Sequence, residues 1–146
     1  MLEALAGKTL ATAESCTGGG IGAALTAVPG SSQVYKGGII SYTNEVKNAL
    51  LGVSMEVLDR EGAVSASVAE AMAAGARKTL NADVAISVTG LAGPDGDDRG
   101  NPVGTVYIGY ADQERVCSRK FLFSGTREEI RKAAGEAALY LVLEFH

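Results

Sequence analysis

A turn rich in hydroxyl, thiol and carboxylate groups follows the first strand-like segment of the sequence. It reads Glu-Ser-Cys-Thr-Gly-Gly over residues 14–19, directly before an apolar stretch of helical spacing. Free N–H groups at a helix N-terminus favour an anion, a phosphate or a developing oxyanion. A simple helix cap by Ser15 or Thr17 explains the same residues. The segment matches neither the Gly-x-Ser-x-Gly nucleophile motif nor a phosphate loop, because Gly-Lys-[Ser/Thr] is absent.

Two further polar clusters also follow predicted strands. The first reads Ser-Tyr-Thr-Asn-Glu-Val-Lys over residues 41–47, where Asn44 and Lys47 share a helix face. An ordinary solvated lysine is the alternative to a functional Lys47. The second reads Thr-Gly-Leu-Ala-Gly-Pro-Asp-Gly over residues 89–96 and leaves the carboxyl end of a buried strand. Open α/β sheets place their ligands at such ends.

Two charged segments complete the set of candidates. Ser-Gly-Thr-Arg over residues 124–127 places Arg127 at the start of the last helix, where a phosphate could bind; an ordinary cap is the alternative. The aspartates between residues 95 and 98 resemble a cation loop, but Arg99 occupies the fifth position of the calcium pattern and no Glu follows at the twelfth. A solvated acidic loop is therefore favoured over calcium.

The apolar pattern predicts alternating strands and helices around these clusters. Strands are predicted at 9–13, 38–42, 82–88, 103–111 and 116–123, with the last two as a hairpin. Helices are predicted at 21–28, 44–51, after Ser54, at 67–80 with a Ser67/Glu70 capping box and an Asn81 cap, and after Thr126 with a Thr126/Glu129 capping box.

The order of these elements indicates the fold class. Alternating strands and helices imply a parallel sheet with helices on both faces, and the hairpin adds an antiparallel neighbour. We therefore expect a three-layer α/β/α sandwich with a mixed, mostly parallel sheet of about five strands. The 146 residues leave room for one domain, which we assign to residues 1–146.

Composition excludes several function classes. The chain has 13 basic and 17 acidic residues, a net charge of −4, and no run of apolar residues long enough for a membrane helix. Nucleic acid and membrane partners are therefore disfavoured, and without a signal peptide the expected location is cytoplasmic. Cys16, Cys117 and one C-terminal His make neither a disulfide framework nor a zinc site, so no metal or cofactor is expected.

Four motifs together resemble one known family. Ala-Glu-Ser-Cys-Thr-Gly-Gly, Ser-Tyr-Thr-Asn-Glu-Val-Lys, Val-Thr-Gly-Leu-Ala-Gly-Pro-Asp-Gly and Asn-Pro-Val-Gly-Thr-Val stand in order over nearly the whole chain. The sequence thus resembles the CinA C-terminal domain family, whose stand-alone members are called PncC. The resemblance implies an amidohydrolase that converts nicotinamide mononucleotide to nicotinic acid mononucleotide and ammonia, in pyridine-nucleotide salvage. Longer CinA proteins carry an N-terminal domain, whose activity we do not expect here.

The resemblance also assigns roles to residues. Ser15 takes the place of the family's nucleophile, Lys47 that of its activating lysine, and Tyr42 that of its motif tyrosine. The implied substrate-binding residues are Thr17, Gly18, Gly19, Ser32, Asn44, Thr89 and Arg127.

The chemistry agrees with this assignment, because a serine amidase without an internal His can use a lysine base. Lys47 must then be largely desolvated, which lowers its pKa, while the turn at Gly18 and Gly19 could supply oxyanion donors. The alternative is a non-catalytic nucleotide-binding module or a competence-related regulatory partner. A homodimer or larger assembly is expected, since the Ala-rich helix suits close packing between subunits.

Overall fold

A computed structural model describes residues 2–146. Its five strands are β1 (Leu10–Glu14), β2 (Tyr35–Ile40), β3 (Val84–Gly90), β4 (Thr105–Ala111) and β5 (Val116–Leu122). They form one sheet in the order β2-β1-β3-β4-β5. β1 pairs in parallel with β2 and β3, whereas β4 is antiparallel to β3 and β5. Four strands therefore run in one direction and β4 runs against them, which confirms the mixed sheet that the sequence predicts.

Helices cover both faces of this sheet. They are α1 (Gly20–Thr26), α2 (Asn44–Leu51), α3 (Met55–Glu61), α4 (Ala66–Thr79) and α5 (Arg127–Phe145). One apolar core joins α1 and α5 to sheet residues such as Ile86 and Ile108. A second core joins α2, α3 and α4 to Ala11, Ala13 and Ala85. The three-layer α/β/α arrangement is thus confirmed. No helix described over residues 2–146 is long and apolar enough to cross a membrane.

Small residues let α4 lie close to the sheet. A Cβ atom on Gly109 of β4 would overlap the carbonyl group of Ala69 in α4. The Ser87 hydroxyl of β3 donates a hydrogen bond of 2.5 Å to the same carbonyl. Close packing against Gly109 and the hydrogen bond from Ser87 therefore hold α4 in place on the sheet. The strand β3 in turn carries a candidate site residue, Thr89, near its end.

The observed boundaries differ from the predicted ones in two informative places. β2 covers Tyr35–Ile40 instead of 38–42, so Tyr42 lies in the loop after the strand. α4 is capped by Ser65, whose hydroxyl accepts a hydrogen bond from the Val68 N–H group, so the predicted Ser67/Glu70 capping box is wrong. Ser67 instead donates to Glu61. Both the Thr126/Glu129 capping box and the left-handed Asn81 are present as predicted.

Candidate active site

The carboxyl ends of β1, β2 and β3 meet at one edge of the sheet, where loops surround a cavity of about 280 Å³. Six of the predicted site residues line it: Ser15, Tyr42, Asn44, Lys47, Thr89 and Arg127. They come from four separate parts of the chain, and parallel pairing brings those parts together because parallel strands end on the same side. A larger cavity of about 430 Å³ lies between α1 and α5, and neither Ser15 nor Lys47 reaches it.

A buried serine and a buried lysine face each other in this cavity. Lys47 Nζ lies 3.0 Å from Ser15 Oγ, and the two residues are only 2% and 7% exposed. The Thr43 hydroxyl caps the N-terminus of α2, and Lys47 lies in the first turn of that helix. The same Nζ donates to the carbonyl oxygens of Ser41 at 2.8 Å and Tyr42 at 3.5 Å. A hydroxyl and an amine at this distance have the geometry that a nucleophile and its base require.

The surroundings of Lys47 favour its neutral form. Burial lowers its pKa from 10.5 to about 8, because the charged ammonium loses its hydration there. A neutral amine has two N–H donors and one lone pair. These match two carbonyl acceptors, Ser41 and Tyr42, and one hydroxyl that can donate, Ser15. The amine can therefore receive the Ser15 proton without rearranging its other contacts.

Cys16 stands beside Ser15 and also lines the cavity. Burial raises the pKa of its thiol from 9.0 to about 11. A thiol with that pKa stays protonated near neutral pH, and the thiolate is the reactive form of cysteine. Lys47 Nζ lies within hydrogen-bonding distance of Ser15 Oγ, whereas no hydrogen bond described for residues 2–146 joins it to Cys16, so the geometry favours Ser15 over Cys16 as the candidate nucleophile.

The N-terminus of α1 is occupied from within the protein. The buried Glu14 carboxylate accepts hydrogen bonds from the N–H groups of Gly19 at 3.2 Å, Ile21 at 2.9 Å and Gly22 at 3.0 Å. The Gly18 N–H group donates to the Ser15 carbonyl at 3.1 Å. The expectation that Gly18 and Gly19 offer free N–H groups to an oxyanion is therefore wrong, because an internal anion already takes the helix end.

Two other N–H groups of the turn remain available. Among the hydrogen bonds described for residues 2–146, none joins the N–H groups of Cys16 and Thr17 to another residue, and the Cys16 N–H group contacts only its own thiol. Cys16 directly follows Ser15, and Thr17 is the next residue; in α/β-hydrolases the residue directly after the nucleophile supplies an oxyanion donor. Sequence reasoning missed them. The signal was Glu14 itself, a carboxylate placed to cap the following helix.

Tyr42, Arg127 and Thr89 form the rim and wall of the cavity. Arg127 donates through Nη1 to the Gly93 carbonyl at 2.5 Å and through Nη2 to the Tyr42 hydroxyl at 3.3 Å. Tyr42 is 61% exposed, and it is its carbonyl rather than its hydroxyl that contacts Lys47. Thr89 is buried, and its hydroxyl donates to the Ala63 carbonyl at 2.8 Å.

Besides Gly18 and Gly19, two of the predicted residues do not line this cavity. Thr17 is buried, and it lines the cavity between α1 and α5 although it lies only two residues after Ser15. Ser32 is exposed in a short 3-10 turn (Ser31–Gln33) that precedes β2. Because β1 and β2 are parallel, that turn lies at the opposite end of the sheet from Ser15, and the structure does not bring Ser32 to the cavity.

The acidic tip between residues 94 and 101 is organised by its own side chains. Asp97 accepts hydrogen bonds from the N–H groups of Arg99 and Asn101 and from the Asn101 amide. Over residues 2–146 the structure contains no group of three or more His, Cys, Asp or Glu residues placed to hold a metal ion.

Known proteins resemble this chain along most of its length. The CinA C-terminal domain model matches residues 2–146. A CinA-like protein of Thermosynechococcus vestitus is 56% identical over 82% of this chain and 29% of its own length. A CinA-like protein of Endomicrobium trichonymphae is 51% identical over 92% of this chain and 32% of its own length. The chain thus spans about a third of these curated relatives.

Solved structures share the same fold. A CinA superfamily protein from Klebsiella pneumoniae superposes with a TM-score of 0.95 at 34% identity, covering 98% of this chain and 91% of its own. A competence/damage-inducible protein from Agrobacterium tumefaciens superposes with a TM-score of 0.91 at 41% identity, covering 94% of this chain and 85% of its own. The chain belongs to the CinA C-terminal domain family.

Proposed function

We propose that the chain is an amidohydrolase that converts nicotinamide mononucleotide to nicotinic acid mononucleotide and ammonia, with Ser15 as nucleophile and Lys47 as base. The observation that carries the proposal is the buried contact of 3.0 Å between Lys47 Nζ and Ser15 Oγ. The names of the relatives refer to CinA or to competence and damage, so the choice of substrate rests on the motif resemblance.

In the first half of the reaction, Ser15 Oγ attacks the carboxamide carbon while its proton passes to the neutral Lys47 amine. A C–O bond forms and the carbonyl π bond becomes an oxyanion. Lys47 then returns the proton to the amide nitrogen, the C–N bond breaks, and ammonia leaves. The product is an ester between Ser15 and nicotinic acid mononucleotide.

In the second half, water attacks the ester carbon and gives its proton to Lys47. The tetrahedral intermediate expels Ser15 Oγ, which recovers the proton from Lys47. Nicotinic acid mononucleotide forms with its second water proton still on the acid group, which ionises to give the carboxylate as that proton passes to solvent, and both side chains regain their starting protonation states. The pKa of Lys47, about 8, suits a group that must both accept and donate a proton near neutral pH.

The N–H groups of Cys16 and Thr17 stabilise the oxyanion in both halves. Neither donates to another residue among residues 2–146, and they belong to the two residues after Ser15. One well-placed oxyanion donor is worth about 3 kcal/mol of transition-state stabilisation.

The remaining cavity residues hold the nucleotide. Arg127 is the cation at the cavity rim and suits the phosphate, because a guanidinium binds phosphate oxygens through two parallel hydrogen bonds. Asn44 and Thr89 also line the cavity, and Tyr42 is an exposed residue at its rim.

The experiment is ammonia release from nicotinamide mononucleotide by the purified protein. The wild type should turn over, and Ser15→Ala should lose at least a thousandfold in kcat/KM, because the covalent route disappears. Ser67→Ala is the control, since that hydroxyl contacts Glu61 on α3 and Ser67 does not line the cavity. A Ser15→Ala variant that keeps a tenth of wild-type kcat/KM would refute Ser15 as nucleophile. Binding of the nucleotide without ammonia release would favour the non-catalytic binding module.

A further inference from the structure

Arg131 of α5 makes two contacts with the turn that carries the nucleophile. Its Nε donates to the Cys16 carbonyl at 2.9 Å, and its Nη2 donates to the Thr17 carbonyl at 3.2 Å. Arg131 also lies close to Gly18, since a Cβ atom there would be 3.3 Å from Arg131 Nη2. Arg131 does not line the cavity that holds Ser15.

These contacts determine where the free N–H groups point. The Cys16 carbonyl and the Thr17 N–H group belong to one planar trans peptide, so they point in opposite directions. Arg131 holds the carbonyl and thereby directs the Thr17 N–H group away from itself. The Gly18 N–H group holds the Ser15 carbonyl and directs the Cys16 N–H group in the same manner. The turn itself therefore sets the direction of the Cys16 N–H group, and Arg131 sets the direction of the Thr17 N–H group.

We propose that Arg131 is a positioning residue that aims the Thr17 N–H group at the oxyanion. The proposal rests on the proposed amidohydrolase function and adds a residue remote from the substrate. A guanidinium suits this task because its planar fork reaches two consecutive carbonyls, whereas a lysine ammonium is a point charge that cannot fix their relative orientation. Its positive charge also polarises the peptide that carries the donor.

The first test is kinetic. Arg131→Ala should lower kcat for nicotinamide mononucleotide about tenfold, less than the loss of a whole oxyanion donor, and should change KM by less than about twofold. Guanidinium chloride at millimolar concentration should restore part of kcat, whereas sodium chloride at equal ionic strength should not. Arg131→Lys should stay impaired. Arg77→Ala is the matched control, because Arg77 donates to the Asp83 carbonyl at the other end of β3.

The second test does not depend on the substrate. A small alkyl fluorophosphonate should label Ser15 of the wild type, and Arg131→Ala should be labelled about tenfold more slowly, with the same guanidinium rescue. Labelling that is slowed in Arg131→Ala, in a protein that does not hydrolyse nicotinamide mononucleotide, would refute the proposed substrate and support Arg131. Equal labelling rates in the two proteins, or a loss of kcat that guanidinium does not restore, would overturn the role of Arg131.

Discussion

At the scale of single residues, burial changes the pKa values of two groups beside Ser15. Ser15 and Cys16 are neighbours in the same cavity, yet burial raises the pKa of Cys16 to about 11 and lowers that of Lys47 to about 8. Both shifts have one cause, the loss of water around a charged form. Burial thus keeps the thiol protonated and favours a neutral amine beside the Ser15 hydroxyl, as the proposed mechanism requires.

Burial of Lys47 also makes stability depend on pH. Between about 8 and 10.5 the folded protein holds a neutral amine, while the unfolded chain still binds the proton. Since the unfolded state then binds more protons, this group makes the free energy of unfolding rise with pH in that window. The Lys47→Met variant lacks the group and should lack this contribution.

The prediction is that the free energy of unfolding of the wild type, relative to Lys47→Met, increases above about pH 8 by up to about 1.4 kcal/mol per pH unit. Urea unfolding of both proteins across this range measures it. Lys36→Met, at an exposed position, is the control and should show no such trend. A difference between wild type and Lys47→Met that stays flat from pH 7 to 10 would mean that the pKa of Lys47 is not lowered.

At the scale of elements, the first turns of α5 join two parts of the site. Arg127 contacts the Gly93 carbonyl and the Tyr42 hydroxyl at the rim, and Arg131, four residues later on the same helix face, contacts the nucleophile turn. One helix thus fixes both the mouth and the base of the cavity. The sequence motif identifies Arg127 as a candidate binding residue. No motif identifies Arg131, because its partners Cys16 and Thr17 lie 115 and 114 positions earlier in the chain.

Arg127→Ala separates phosphate binding from chemistry. Loss of a charge-assisted contact should cost about 2 kcal/mol, or roughly thirtyfold in kcat/KM for nicotinamide mononucleotide, with a clear rise in KM. Nicotinamide riboside, which lacks the phosphate, should be affected little. Lys132→Ala, which removes an exposed charge from the same helix, controls for the general loss of a cation. An equal loss on both substrates would show that Arg127 supports the rim rather than the phosphate.

At the scale of the whole molecule, the sequence predicts the layers and the site edge but not the fine contacts. Alternating strands and helices determine the layers, and the carboxyl ends of parallel strands bring Ser15 and Lys47 together. The sequence does not reveal that the Glu14 carboxylate binds the N-terminus of α1, because a helix N-terminus of this kind suits an external anion equally well. The site role assigned to Ser32 and the expected homodimer or larger assembly stay predictions.

The most direct measurement is the mass of the enzyme quenched with acid during turnover of nicotinamide mononucleotide. We predict that the peptide containing Ser15 carries one nicotinic acid mononucleotide acyl group, held as an ester at that side chain, and that Ser15→Ala carries none. Ammonia release by the wild type with no adduct on Ser15 at any quench time, and undiminished release by Ser15→Ala, would contradict the covalent Ser15–Lys47 mechanism.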